Sequence, residues 1–206
     1  GRQLQTSLPT VRKINQLHPG AFTVAELQEI REAIQRKYAA VSSSAAGYFK
    51  YAVGKEGALQ LGYPKEILET IPEPLLNAFC GVGNPLGIEP IVVGSHVLDI
   101  GCGAGFDLFM ASRMAGNNGR VVGIELSKEM AERARANLST LLAITCDVME
   151  YASEDLPFPN DTFDVVLSNA AINLVPNKPR LFVEIFRVLK PGGRLQFADI
   201  VLENEL

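Results

Sequence analysis

The stretch Val97-Leu98-Asp99-Ile100-Gly101-Cys102-Gly103-Ala104-Gly105 constrains the fold more than any other part of this 206-residue chain. A short apolar run carries an acid near its end. Three glycines follow at alternate positions, and then a helical pattern begins. Such a run reads as a buried strand that feeds a helix through a loop with little room for side chains. Glycine belongs where a backbone turns sharply or where a ligand touches it. The carboxylate of Asp99 offers only acceptors, so it suits a ligand with cationic or hydroxyl donors. Twenty residues past Gly105, the apolar run Val121-Val122-Gly123-Ile124 ends in Glu125. An acid at that strand end can accept both hydroxyls of a ribose. The dinucleotide fingerprint G-x-G-x-x-G does not fit, because its third glycine would fall at Phe106.

Composition narrows the partners. With 47% hydrophobic and 20% charged residues, the chain has the balance of a globular domain. The net charge is -4 and no basic cluster occurs, so a nucleic acid would find no electrostatic footprint. No apolar run approaches the roughly 18 residues of a membrane span, and no signal peptide is readable. Three cysteines without regular spacing argue against a disulfide framework and for a reducing, cytoplasmic setting.

From residue 95 the pattern alternates. Strands are expected at 96–100, 120–125, 141–146, 163–168 and 194–200, with helices at 104–115, 128–138 and 178–190 between them. Ser127 is the expected N-cap of the second of these helices. Alternation of this kind predicts an α/β fold, a Rossmann-like doubly wound parallel sheet with ligands beyond the carboxyl ends of its strands. Residues 1–94 read as a helical extension and 95–206 as the core. In the extension, residues 1–22 are expected to be a loosely held arm. Thr23 and Glu26 form a capping-box pattern before a helix at 24–40. Short helices are expected near Tyr63-Pro64 and Pro72–Phe79, and a glycine-rich turn at Cys80–Pro85. Segment 45–84 reads either as a lid over the ligand or as a packed N-terminal cap with ordinary core aromatics. His18 and His96 are both poorly placed for chemistry, so no catalytic residue is assigned, and no metal is expected.

From about residue 58 to 201 the chain resembles the class I S-adenosylmethionine-dependent methyltransferases, in particular their arsenite and ubiquinone/menaquinone methyltransferase branch. The matching pieces are Asn84-Pro85-Leu86, Val97 to Asp107, Gly123-Ile124-Glu125, Asp164–Leu174 and Arg187–Asp199. The resemblance implies S-adenosylmethionine as cofactor and methyl transfer to a small-molecule acceptor. It implies that Asp99, Gly101, Cys102, Gly103 and Gly105 line the methionine part, that Glu125 holds the ribose and that Leu126 packs on the adenine. Asp147 would accept from the adenine amino group beside the backbone of Val148, and Asn169 would face the methyl donor. Candidate acceptor contacts are Tyr51, Cys80, Asn84 and Asn173. Binding without turnover, and arsenite or quinone-type transfer, are the alternative functions.

Three departures bear on the acceptor and the edge of the sheet. Arsenite methyltransferases present cysteine where this chain has Ala170, and another where it has Val82. No cysteine occurs in residues 1–79. A soft arsenic centre takes several thiolates, so arsenite is not the expected acceptor. The stretch Val148–Asp155 is extra length, and its acids read as a solvated face. The chain also stops soon after its fifth strand. The final strand pair of the family is expected to be missing, leaving an open edge that a partner copy could cover.

Overall fold

In a computed structural model the described residues are 23–42, 44–141 and 146–201. The expected arm at 1–22 lies outside them. Five parallel strands form one sheet in the order β3-β2-β1-β4-β5: β1 (His96–Ile100), β2 (Arg120–Glu125), β3 (Cys146–Glu150), β4 (Phe163–Asn169) and β5 (Leu189–Ala198). The order runs outward from β1 in both directions, so β1 and β4 flank a topological switch point. In such sheets the crevice beyond the carboxyl ends opens there.

The central strands are apolar because both faces are covered. Val97, Val121, Val165 and Leu167 pack in one layer with Phe106, Leu108 and Met110 of α5 (Phe106–Ala115). Leu98, Ile100, Val122, Ile124 and Val166 pack in the other with Leu181, Ile185 and Val188 of α7 (Lys178–Val188). Helix α6 (Lys128–Thr140) starts at Ser127, whose hydroxyl accepts from the Met130 amide as expected. Each aliphatic side chain buried this way contributes about 1.5–3 kcal/mol relative to exposure.

Two element boundaries differ from the sequence reading. The expected strand at 141–146 is found at Cys146–Glu150, and residues 142–145 are outside the described set. β5 begins at Leu189 rather than 194, and Lys190–Gly193 bulges between the pairs Phe163↔Leu189 and Val165↔Arg194. Among the described residues β3 and β5 are the sheet edges.

The extension holds α1 (Val24–Val41), α2 (Gly54–Gln60), α3 (Lys65–Leu68) and α4 (Glu73–Asn77). The Thr23–Glu26 capping box forms as read, with hydroxyl and carboxylate each satisfying the other's backbone amide. No described helix is long and apolar enough to cross a membrane.

Candidate functional site

A cleft opens over the carboxyl ends of β1, β2 and β4, with about 950 Å³ of empty space including its mouth. Gly101 and Gly103 form its floor, Glu125 and Leu126 one wall, and Asn169, Ala170 and Ala171 the opposite one. Tyr151, Ala152, Ser153 and Glu154, which follow β3, close one end.

The glycines have separate reasons. Gly101 has φ +72°, and a Cβ there would lie 2.3 Å from that of Ala171. Gly103 has φ +52°, and a Cβ there would meet nothing within 4 Å. The empty space in front of Gly103 is therefore cleft, and any side chain would fill it. Gly105 instead lets α5 start against α6, where a Cβ would stand 3.3 Å from that of Ala134. Cys102 points away from the cleft. It is buried against Gly123, where a Cβ would stand 2.6 Å from its Sγ, so its job is close packing of loop on strand.

Glu125 is buried and held from both sides. One carboxylate oxygen accepts from the Gly103 amide at 2.9 Å and the other from the Ser127 amide at 2.8 Å. Burial pushes its carboxyl above the usual range, and these amides oppose that shift. Asp99, only 2% exposed, sits behind the glycine loop with Oδ2 unpartnered. Burial, then the charges of Asp107 and Glu125, holds its carboxyl well above the usual range. Against these acids the one cation lining the cleft, among the described residues, is Arg31, already paired with Glu154 at 2.9 Å. The site is short of positive charge, which a cationic ligand would supply.

Several expected residues lie elsewhere. Asp147 is exposed in the amino-terminal half of β3, opposite Val122, and meets the Arg120 guanidinium at 3.5 Å. Val148 is mid-strand, half-buried against the core on the α5 side. Both miss the cleft because β3 starts later than its apolar approach suggested. The strand's carboxyl end is at Glu150, so Tyr151–Glu154 reach the ligand edge instead. Glu154 is not on a solvated face, since α1 lies over it. Asn84 caps the 3₁₀ turn Pro85–Gly87 through its side-chain oxygen. Asn173 accepts nothing at its buried Oδ1 and does not line the cleft.

The cover is α1 rather than segment 45–84. Arg31, Ile34 and Tyr38 line the cleft from α1, and Gln35 donates to the Leu126 carbonyl at 3.1 Å. Of that segment only Cys80 reaches the cleft. Burial, with the negative charge of Glu125 next, pushes its thiol up to about 12. Tyr51 donates to the Cys80 carbonyl at 3.0 Å and lines a second hollow with Ala52, Leu61, Gly81, Val82 and Ile200. Asn169 reaches the cleft as expected, but its amide is engaged with the Val82–Gly83 backbone. Sequence reasoning missed Arg31, Tyr38 and Tyr151. Only the capping box that fixes α1 gave a hint.

The chain is similar to known methyltransferases. A family model described as a methyltransferase domain matches residues 91–206. Arsenite methyltransferase of Halobacterium salinarum is 31% identical over 84% of the chain and 48% of its own length. Demethylmenaquinone methyltransferase of Symbiobacterium thermophilum is 36% identical over 49% of the chain and 41% of its own length. A solved SAM-dependent methyltransferase from Aquifex aeolicus superposes with a TM-score of 0.55 at 25% identity, covering 71% of this chain and 68% of that one. The chain spans about half the length of the curated relatives it matches.

Proposed function

The chain belongs to the S-adenosylmethionine-dependent methyltransferase family, and from that premise we propose that its cleft binds S-adenosylmethionine and presents the methyl group to a small-molecule acceptor. The observation that carries this reading is the pair formed by Glu125 and Gly103. The carboxylate is preset by two backbone amides beside a glycine whose missing side chain leaves the space open. The unpartnered Oδ2 of Asp99 and the lack, among the described residues, of a free cation lining the cleft fit a ligand that brings its own positive charge.

In this reading Glu125 accepts from the ribose hydroxyls, and Leu126 with Tyr151–Glu154 encloses the adenine. Gly101 and Gly103 let the backbone approach the methionine portion. The cofactor supplies an electrophilic methyl through its sulfonium. The protein's share is to hold the acceptor in line with it and to exclude water. α1 serves the second task, closing the cleft through Arg31–Glu154 and Gln35–Leu126. Residues 95–206 thus carry the donor site, and residues 23–94 the cover.

The three cysteines bear on the acceptor. Cys80 faces the cleft, Cys102 is buried in the core, and Cys146 begins β3 at the opposite end of the strands. One thiol, protonated at neutral pH, is a poor host for a soft trivalent ion that takes several thiolates. The lining of Ile100, Ile124, Met130, Leu174 and Val175 favours an apolar acceptor instead. Calorimetric titration of residues 1–206 with S-adenosylmethionine, followed by radiolabel transfer to arsenite and to apolar acceptors, tests both parts. Saturable binding without transfer to arsenite is expected. Absence of binding refutes the donor site, and robust methylation of arsenite refutes the cysteine argument.

A further inference from the structure

Below the cleft, Asn169 joins four groups that the proposed chemistry leaves unused. Its Oδ1 accepts from the amides of Val82 at 2.8 Å and Gly83 at 3.3 Å. Its Nδ2 donates to the Gly83 carbonyl at 2.9 Å and to Asp107 Oδ2 at 3.0 Å. The Tyr63 hydroxyl donates to Asp107 Oδ1 at 2.5 Å and stands 3.4 Å from Asn169 Nδ2. The strap Cys80–Gly83 is built to lie flat on this group. A Cβ at Gly81 would meet Asn169 Nδ2 at 2.3 Å, and one at Gly83 would meet the Cβ of Ala198 at 2.4 Å. Cys80 faces the donor cleft while Gly81 and Val82 face the second hollow, so the strap is the wall between them.

We propose that Asp107 and Tyr63 are positioning residues that act through Asn169 to clamp the Cys80–Gly83 strap, the wall against which the methyl acceptor is held. The proposal rests on the reading of the neighbouring cleft as the donor site. The hydrogen-bond directions supply the argument. An ionised Asp107 accepts from both Tyr63 and Asn169, which turns the amide so that Oδ1 faces the strap amides. A protonated Asp107 must donate, so the Tyr63 hydroxyl turns round to accept from it and toward the Gly83 carbonyl 3.4 Å away, and Asn169 is left donating to a neutral oxygen, the weaker acceptor. The titratable groups facing Asp107 are Tyr63, Asp99 and Cys80, with Glu125 acting on Asp99 from beyond. Burial pushes the Asp107 carboxyl up to about 6, with Tyr63 and Asn169 opposing the shift. The clamp therefore loosens in mildly acidic solution.

The test is residue-resolved amide exchange at Val82 and Gly83 in residues 1–206, corrected for intrinsic rates. The chains compared are the parent, Asp107→Asn and Tyr63→Phe. At about pH 7.5 both variants should exchange these amides about tenfold faster, the effect of losing one such bond. The parent should approach the Asp107→Asn rates when taken to about pH 5.5, while Asp107→Asn should show no step of its own. Tyr63→Phe keeps the ring contacts with Phe79 and Phe106 and carries the test if Asp107→Asn does not fold. Rates within twofold of the parent in folded variants, with no pH step, overturn the clamp. S-adenosylmethionine titration of the parent, run in parallel, shows separately whether the donor site fails.

Discussion

Replacing Glu125 with glutamine isolates the electrostatic half of the proposed donor site. The amide keeps one oxygen, which can serve either the Gly103 or the Ser127 amide, now 2.9 and 2.8 Å from separate carboxylate oxygens. The other backbone amide then faces an NH₂ donor. One ribose hydroxyl loses a charged acceptor at the same time, and a hydrogen bond to a charged group is worth about 1.5–3 kcal/mol. Affinity for S-adenosylmethionine should fall roughly ten- to 150-fold, at about 1.4 kcal/mol per tenfold. Folding stability should change much less, because two effects oppose. A backbone bond is lost, but so is a buried charge whose carboxyl burial already holds above its usual range. Melting should shift by only a few degrees, at about 2–4 °C per kcal/mol for a chain of this size. Calorimetric titration and thermal unfolding of the same preparations measure both quantities. An unchanged affinity refutes the ribose assignment. A collapse of both together means that Glu125 serves only the fold.

Three further outcomes follow from the same geometry. Asp99→Asn should raise the stability of the ligand-free chain by about 1–2 kcal/mol near neutral pH while weakening S-adenosylmethionine binding, since it removes an unpartnered buried carboxylate. The Asp99 carboxyl is held well above its usual range, so the native state binds this proton more readily than the unfolded chain does. The parent's stability from this group is thus present at low pH and lost as pH rises through the raised value. Denaturant titrations should show the variant's advantage growing as pH rises above about 4, the unfolded carboxyl's range. Gly103→Val should abolish donor binding in calorimetry and leave a folded chain destabilised by about 1–2 kcal/mol for placing a side chain at φ +52°. Cys80, its thiol pushed up to about 12, should react with iodoacetamide far more slowly than free cysteine at about pH 8, and slower still with S-adenosylmethionine present, as mass spectrometry of the peptide can show.

What could be read from the sequence was what local chemistry determines. The runs around Leu98 and Val122 are buried on both faces, and of the glycines after Ile100 two, Gly101 and Gly105, sit at close approaches. Thr23 and Glu26 satisfy each other across three residues. β3 was misplaced because an edge strand has little to bury. Cys146 and Val148 are half-covered while Asp147, Met149 and Glu150 face out, so its apolar signal is weak beside the preceding Leu141-Leu142-Ala143-Ile144. That shift carried the expected adenine contact to Asp147, which does not line the cleft, and away from Tyr151–Glu154, which do. The cover was misjudged for a different reason. Arg31 and Glu154 are 123 residues apart, and each alone looks like an ordinary surface charge. Asn169 was found for its place at the end of β4, but its engagement with Asp107, Tyr63 and the Gly83 strap is tertiary and has no local signature.

The central claim is that the cleft between Glu125, Gly103 and Asn169 is a donor site, and equilibrium dialysis of residues 1–206 against radiolabelled S-adenosylmethionine tests it most directly. The account predicts saturable binding of one equivalent, displaced by S-adenosylhomocysteine and lost in Gly103→Val. Absence of saturable binding by the folded parent chain, or full retention of binding in Gly103→Val, would contradict it.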